Sequence, residues 1–373
     1  HCLSVGDLAF SDIEHIAISR NPGVRLRKKA LYAARQLVRP TYLLSRISSA
    51  RRLTDFPAEL ASRFSLAEKP EGMKFHQIEH HMAHSSSGYY PSPFDEAAVV
   101  SVDGMGDFCS TMVSHGSGAK IDTISTVEFP HSVGILYTSI TQWLGFMNYG
   151  DEYKVMGLAA FGEPVLADNI RQLIRPLDNG KFQLSLGHFR HHNSGTNTTW
   201  DDTAPNVDVL YSSKLIEMLG RPRQIDEKIS DFHKDVAASL QLVVEEIYFH
   251  ILRYAQHATK LKQVTLAGGV AFNSVANGKI LENTDFQDTY FQPAAGDAGT
   301  AIGAALSAHA EVVGERPAFK MTHAYWGAEA SDTEIQESLE QSGLQYDNES
   351  EKSVIRRTAA KLADGGIVGW YQG

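Results

Sequence analysis

Two consecutive strand–loop–helix units near the carboxyl end of the chain restrict the fold more than any other feature of the sequence. The units are LKQVTLAGGVAFNSVANGKIL, residues 261–281, and TYFQPAAGDAGTAIGAALSAHA, residues 289–310. Each begins with a short apolar run and continues through a glycine-containing turn into a segment rich in small residues. These units predict an α/β architecture rather than an all-α or all-β one.

Two further elements precede these units. Residues 96–129, EAAVVSVDGMGDFCSTMVSHGSGAKIDTISTVEF, contain three apolar runs separated by glycine turns and predict three antiparallel strands. Residues 231–257 predict a long core-facing helix, because apolar side chains recur there at helical spacing. They are Val236, Leu240, Val243, Ile247, Ile251 and Tyr254. The region 166–223 is polar, lacks a clear pattern, and is interpreted as a lid or an insertion.

A three-strand meander followed by two strand–loop–helix units is typical of a ribonuclease-H-like lobe, the building block of the actin, hexokinase and heat-shock-chaperone ATPases. Two such lobes close on a nucleotide. We therefore predict an α/β, ribonuclease-H-like, two-lobed fold whose first lobe is truncated at its start. The expected domains are an incomplete first lobe with a basic helical insertion (1–96), a second lobe (97–312) and a connector (313–373). The last nine residues, GGIVGWYQG, indicate a buried strand.

The composition excludes several classes of protein. The 373 residues are 43% hydrophobic and 21% charged, as in an ordinary globular protein. Cys2 and Cys109 are too few for a disulfide framework. No run approaches the roughly 18 apolar residues of a membrane helix. A formal charge of −10 argues against a general nucleic-acid binder. We therefore predict a cytoplasmic protein without membrane or nucleic-acid partners.

One basic stretch departs from this acidic balance. Between His15 and Thr54 there is no Asp or Glu, although ten Lys and Arg residues occur. The stretch can dock an acidic partner or an anionic ligand, but a solvated amphipathic helix is the favoured interpretation. The ten residues are Arg20, Arg25, Arg27, Lys28, Lys29, Arg35, Arg39, Arg46, Arg51 and Arg52.

The segment IEHHMAHSSSGYYPSPF, residues 78–94, is a candidate metal-binding helix. His80 and His84 are four residues apart, so they project from one helical face and can hold one ion, although histidines can also lie on any exposed face. Asp103 in VDGMGD and Asp297 in QPAAGDAG each follow a predicted strand. In the predicted lobe the loops after the first and last strands open onto one cleft, so these carboxylates can converge. His76 also precedes His80 by four residues, but KFHQI reads as a strand.

Two imidazoles and two carboxylates are suitable ligands for a divalent ion such as ferrous iron, zinc or manganese. Taken singly, the carboxylates have plainer explanations. Asp103 with Gly104 can simply form a hairpin turn, and Asp297 can simply be a helix N-cap. A zinc peptidase is excluded because its motif requires Glu directly after the first histidine, where this chain has His81.

Several glycine-containing loops are candidate nucleotide contacts. Gly104 and Gly106 follow Asp103 and leave the backbone open to an anion. Gly268 and Gly269 lie at the end of a predicted strand, and Asn273 lies at the mouth of the next helix. Lys154 in EYKVMGLAAFGEP can also meet an anion, or it can simply extend into solvent. Paired glycines often serve only a tight turn, so each motif alone is weak.

Taken in order, seven motifs closely resemble the amino-terminal domain of the O-carbamoyltransferases of nodulation-factor and antibiotic biosynthesis. The resemblance covers roughly residues 74–373. That domain is in turn similar to the metal-binding ATPase-fold protein that makes threonylcarbamoyladenosine on tRNA. The motifs are HHMAHSSSGYYPSPF, VVSVDGMGD, PHSVGILYTSITQWLGF, EYKVMGLAAFGEP, DVAASLQ, LAGGVAFNSVANGKIL and QPAAGDAGTAIGAAL.

The resemblance implies that a carboxyl-terminal domain of a longer protein joins carbamoyl phosphate and ATP into carbamoyl adenylate. The domain seen here would then transfer the carbamoyl group to an acceptor hydroxyl, and it would not activate carbamoyl phosphate alone. The implied metal ligands are His80, His84, Asp103 and Asp297, and the implied adenylate contacts are Gly104, Gly268, Gly269 and Asn273. His81 is a candidate general base. A sugar-kinase-like ATPase of the same fold and a non-catalytic nucleotide-binding subunit remain alternatives.

Overall fold

The structure, a computed structural model, describes residues 2–35, 56, 59–64, 72–194, 198–200 and 205–372. The chain divides into two compact units. The larger unit is Ala9–Met321, and the smaller one comprises the described residues of His1–Leu8 and Thr322–Gly373. The boundary at residues 96 and 97 between two lobes stays a prediction. Among the described residues, no helix combines the length and the apolar content needed to cross a membrane.

The described residues form eleven strands. They are β1 His15–Ile18, β2 Lys74–Gln77, β3 Glu96–Gly106, β4 Cys109–Ser117, β5 Lys120–Glu128, β6 Ile174–Leu177, β7 Lys181–Leu184, β8 Thr198–Trp200, β9 Pro205–Val207, β10 Gln263–Ala267 and β11 Asp288–Phe291.

Helices connect these strands. They are α1 Cys2–Val5, α2 Leu26–Arg35, α3 His80–Tyr89, α4 Val133–Trp143, α5 Glu152–Ala159, α6 Ala167–Arg171, α7 His191–Ser194, α8 Ser213–Leu219, α9 Asp231–Thr259, α10 Ser274–Asn277, α11 Ile280–Asn283, α12 Thr300–Val313, α13 Asp332–Ser342 and α14 Glu351–Ala363. Residues 59–63 are helical as well.

A five-stranded mixed sheet forms the centre of the larger unit. Its order is β11-β10-β3-β4-β5. Strands β3, β4 and β5 are antiparallel neighbours, whereas β10 lies parallel to β3 and β11 lies parallel to β10. The predicted three-strand meander and the two following strand–loop–helix units are confirmed. The chain therefore has a mixed α/β fold.

Both faces of this sheet are covered. Alternate residues of a strand point to opposite faces of the sheet, so the continuous apolar run in β3 makes both of its faces apolar. Ala98, Val100 and Val102 belong to a large core with α4 and α9, while Ala97 and Val99 pack with residues of α3 and α12. The predicted long helix is confirmed as α9, which buries Val236, Leu240, Val243, Ile247 and Ile251.

The helices α3 and α12 cross at very close range. A Cβ placed on Gly303 of α12 would lie 1.8 Å from the carbonyl oxygen of Ala83 in α3. Glycine at this position is therefore what allows the two backbones to touch. The small residues of the histidine segment allow this close packing, and Ala83, Ser85, Ser86 and Ser87 are fully buried.

The irregular regions differ in part from the predictions. The described part of 166–223 contains a β6–β7 hairpin and contributes side chains to the core, so the interpretation as a lid is wrong, while the interpretation as an insertion stays a prediction. Its apolar residues are divided among short elements, which hides any period. The segment GGIVGWYQG forms no strand among its described residues, and Ile367 is 98% exposed there. The described residues of the smaller unit, to which this segment belongs, contain no strand.

The basic stretch is only partly described. Arg25 is mostly buried, and its Nη1 lies 2.7 Å from Glu79 Oε1. Lys28 forms an ion pair with Glu128. These contacts attach the beginning of α2 to neighbouring elements, but Leu26, Lys28 and Leu31 of this helix remain exposed. The interpretation as a solvated amphipathic helix is therefore confirmed for the described part of α2. Arg39, Arg46, Arg51 and Arg52 lie outside the described residues, as does the side chain of Arg35.

Candidate metal centre

Four side chains from three separate segments converge at one edge of the central sheet. His80 and His84 come from α3, Asp103 from β3, and Asp297 from the turn before α12. The Nε2 atoms of the two histidines are 3.1 Å apart. Asp103 Oδ2 lies 3.3 Å from His80 Nε2 and 3.7 Å from His84 Nε2. Asp297 Oδ1 lies 3.6 Å from both of these nitrogens.

The spacing of these atoms suits a shared cation. One ligand atom from each side chain lies within 4.8 Å of all the others. Donor atoms about 2.1 Å from one metal ion lie about 3 Å or slightly more from each other, close to the distances seen here. His84 Nδ1 is buried and has no hydrogen-bond partner among the described residues, so the ring is oriented by packing and by its Nε2 side. Imidazole and carboxylate donors fit a divalent transition metal.

The charges within the cluster support each other. Burial opposes charge on His84, but hydrogen bonds to Asp103 and Asp297 outweigh it and raise the pKa of His84 to about 9. Burial also opposes charge on His80, and the Asp103 contact raises its pKa. Burial disfavours ionised Asp103, yet both histidines hold its pKa well below the usual range. The site therefore keeps an ionised carboxylate that attracts a cation.

The second oxygen of Asp103 is held by backbone. The N–H of Gly269 donates to Asp103 Oδ1 over 2.8 Å, which leaves Oδ2 facing the histidines. The Ser132 hydroxyl donates to the Asp103 carbonyl over 3.1 Å. A Cβ on Gly269 would lie 2.8 Å from the same Oδ1. Gly269 therefore contacts a metal-ligand candidate.

The other predicted nucleotide contacts have different surroundings. Nothing among the described residues lies within 4 Å of a Cβ built on Gly104, so this side of its backbone is open, whereas its N and Cα atoms lie against Gly134 of α4. Gly268 has a φ of 91° and a Cβ there would lie 2.3 Å from the Val102 carbonyl oxygen. Strand packing thus explains that glycine. Lys154 Nζ lies 2.6 Å from Asp151 Oδ1, in an ion pair within one helical turn.

Asn273 is engaged by the protein itself. Its Oδ1 accepts the Ala276 N–H over 3.0 Å as the N-cap of α10, and its side-chain amide pairs with that of Gln241 over 2.9 and 3.0 Å. Gln241 Nε2 also donates to Glu245 Oε1 over 2.9 Å. Asn273 therefore fixes the loop after β10, and its direct contact with a nucleotide stays a prediction.

His81 is fully buried rather than exposed. Its Nδ1 lies 2.8 Å from Ser101 Oγ, and burial together with the two neighbouring histidines lowers its pKa well below the usual value. Its part as a base stays a prediction. His76 lies in β2, as predicted, and its Nε2 is 2.7 Å from His15 Nδ1.

The sequence did not identify two contacts at the turn between β3 and β4. Gly106 was expected to leave room for an anion, but a Cβ there would lie 2.0 Å from the ring of His80. Asp107 Oδ2 accepts the N–H groups of Asn21 over 2.7 Å and of His80 over 3.0 Å. The available signal was a glycine followed by Asp between two apolar runs, which is common in ordinary hairpins.

Comparison with known proteins gives a consistent result. Residues 40–306 match the family model described as the carbamoyltransferase N-terminus. The uncharacterized protein sll1178 of Synechocystis sp. is 37% identical over 303 residues, which are 79% of this chain and 47% of that protein. Nodulation protein NolNO of Sinorhizobium fredii is 35% identical over 316 residues, covering 84% of this chain and 43% of the relative. The chain thus spans about half the length of these curated relatives.

One solved structure shows a weaker likeness. The crystal structure of T. kodakarensis HypF aligns with 70% of this chain and 39% of its own, at 16% identity and a TM-score of 0.36. A likeness at this level supports no conclusion about activity.

Proposed function

Because the chain belongs to the carbamoyltransferase family through the domain described as its N-terminus, we propose that it transfers a carbamoyl group from carbamoyl adenylate to a hydroxyl of a small molecule or sugar. Carbamoyl adenylate would be formed from carbamoyl phosphate and ATP by a carboxyl-terminal domain of the longer protein. The observation that carries this proposal is the convergence of His80, His84, Asp103 and Asp297 on one point.

The sheet order supports a ribonuclease-H-like second lobe in this proposal. An antiparallel meander is extended by two strands, and β3, β10 and β11 run parallel. The carboxyl ends of parallel strands share one edge of a sheet, which is where ligands bind in open α/β folds. Asp103 lies near the end of β3, Gly269 follows β10 and Asp297 follows β11. In this proposal the metal and the adenylate would bind side by side at this edge of the sheet.

We assign the four converging side chains as ligands of a divalent cation, with ferrous iron as the first choice and zinc or manganese as the others. Such a cation supplies Lewis-acid chemistry, polarising a carbonyl and offsetting the charge of a leaving phosphate. Gly269 acts as an orienting group, because its N–H holds Asp103 Oδ1. The open backbone at Gly104 is the proposed approach for the adenylate phosphate.

In the proposed reaction the acceptor oxygen attacks the carbamoyl carbon. A new bond forms between these two atoms, and the bond from that carbon to the phosphate oxygen of AMP breaks, so AMP leaves with the electron pair. The hydroxyl proton passes to a base. His81 is the candidate base from the sequence, but its ring is buried against Ser101.

The test measures two quantities: the metal content of the protein and its transfer of the carbamoyl group from carbamoyl adenylate to water or an alcohol. The purified chain, reconstituted with ferrous iron under argon, should bind one equivalent of metal. It should also accelerate the release of AMP from synthetic carbamoyl adenylate. His84→Ala should lose both the metal and the AMP release, because the substitution removes one of the two imidazole ligands.

The controls separate the alternatives. His115→Ala changes a histidine on β4 that pairs with Glu96 instead of the cluster, and it should keep metal and activity. If the protein hydrolyses ATP to ADP and the two histidines hold no metal, the sugar-kinase-like ATPase is favoured. Nucleotide binding and metal content unchanged in His84→Ala would favour a non-catalytic subunit.

A further inference from the structure

The two-residue turn between β3 and β4 has an uncommon backbone. Asp107 and Phe108 have φ values of 47° and 70°, in the left-handed region. Each non-glycine residue there costs about 1 kcal/mol or more. Turns of this kind favour Asn-Gly or Asp-Gly, so Phe in the second place needs compensating contacts.

Each residue of the turn contacts a specific partner. The Phe108 ring centroid lies 5.4 Å from that of Phe129 and 5.7 Å from that of Tyr32. Gly106, just before the turn, lies beneath the ring of His80. Asp107 Oδ2 accepts the His80 N–H over 3.0 Å. The aromatic contacts fix the turn, and the turn contacts His80 at both its ring and its backbone.

The bond from Asp107 addresses a weakness of α3. His80 is the first residue of that helix, and the first N–H groups of a helix have no partner within it. Helix ends also fray more than helix interiors. The cap residue Glu79 accepts from Met82 N over 2.6 Å, so it does not satisfy the His80 N–H. Asp107 is the group that does.

We propose that Asp107 is a positioning residue for the metal ligand His80, an inference that rests on the metal centre proposed above. Asp107 acts through the backbone and is not itself one of the four ligands. The same oxygen also accepts the Asn21 N–H over 2.7 Å, so it joins the loop after β1 to the start of α3. Loss of this carboxylate removes the hydrogen bond that holds the backbone of His80, whereas His84, one turn later, stays buried.

Cobalt(II) titration of the purified chain tests this role, because its visible absorption reports ligand geometry as well as affinity. Asp107→Gly removes the carboxylate and suits the left-handed backbone. It should raise the cobalt dissociation constant about 10- to 100-fold, the usual range when a residue that orients a metal ligand is lost, and should change the visible spectrum. Asp107→Asn retains an oxygen acceptor and should stay within about threefold of the wild type.

Phe108→Asn is the matched control within the same turn. It removes the ring but keeps the Asp107 carboxylate, and asparagine itself suits the left-handed backbone at this position, so the turn should be retained and the cobalt spectrum should stay unchanged. Asp107→Ala is the second variant if Asp107→Gly does not fold. Wild-type affinity and spectrum in the folded Asp107 variants, or equal weakening in Phe108→Asn, would overturn the inference. Failure of the wild type to bind cobalt would instead reject the metal centre itself.

Discussion

At the scale of single residues, two histidines on α3 show how strongly position determines chemistry. His81 and His84 are three residues apart and both are fully buried. His84 meets two carboxylates and has a pKa raised to about 9, whereas His81 meets Ser101 and has a pKa far below the usual value. The same side chain is therefore held protonated by two carboxylates in one place, where a cation would have to displace that proton, and is a neutral core residue in the other.

His191 provides a pH-dependent stability prediction away from the metal centre. Its ring is fully buried, its Nε2 donates to the Pro130 carbonyl over 2.7 Å, and burial lowers its pKa to about 4. The unfolded chain takes up this proton near pH 6.5 and the folded chain does so only near pH 4. The contribution of His191 to stability is therefore complete above pH 6.5 and is lost as the pH falls towards 4. Its size is about 3 kcal/mol.

The measurement is urea unfolding at pH values from 7 to 4, in wild type and in His191→Gln. The variant should lose part of the decline in stability across that range. His131 and His192 face this ring and also have lowered pKa values, so a smaller decline should remain in the variant. Identical slopes in both proteins would show that His191 is not held neutral.

At the scale of elements, the crossing of α3 and α12 places two metal-ligand candidates opposite a third. Gly303→Ala should separate these helices, because its Cβ would overlap the Ala83 carbonyl oxygen. We expect a loss of about 3 kcal/mol in unfolding free energy, since overpacking outweighs the helix propensity gained from alanine. Thermal or urea unfolding measures the effect.

Gly157 offers a matched control for that substitution. It lies within α5, and nothing among the described residues comes within 4 Å of a Cβ placed on it. Gly157→Ala should therefore leave stability unchanged or raise it by up to about 1 kcal/mol. If both variants behave alike, close helix contact is not the reason for glycine at position 303.

Helices and strands could be predicted wherever apolar residues recur at the spacing that places them on one buried face of the element. The meander and α9 have clear periods, and the histidine pair follows directly from a helical spacing of four. The short elements between residues 166 and 223 have no such period, although Phe182, Phe189 and Leu210 are buried. The contacts at Gly106 and Asp107 were also hidden, because they join the turn to a helix that begins 26 residues earlier at His80. Spacing along a chain cannot show a contact that tertiary folding creates.

At the scale of the whole molecule, the candidate ligands depend on long-range assembly. Two come from a helix that precedes the sheet, one from the first strand of the meander, and one follows the last strand of the sheet. The four residues span positions 80–297 and meet only when β3, β10 and β11 are in register. Binding of a cation should therefore be coupled to folding of the larger unit rather than to one local segment.

This coupling predicts a large effect of metal removal on thermal stability. A ligand present at about 1,000 times its dissociation constant stabilises the folded state by about 4 kcal/mol. For a unit of this size that corresponds to an unfolding temperature about 6 °C higher than that of the chelated protein. Differential scanning calorimetry with and without ferrous iron measures the shift. His84→Ala should lose most of it and His115→Ala should keep it, because only His84 belongs to the converging cluster. The cluster needs both imidazoles to hold a cation between α3, β3 and the turn before α12. A shift of equal size in both variants would therefore show that the stabilising ion binds elsewhere.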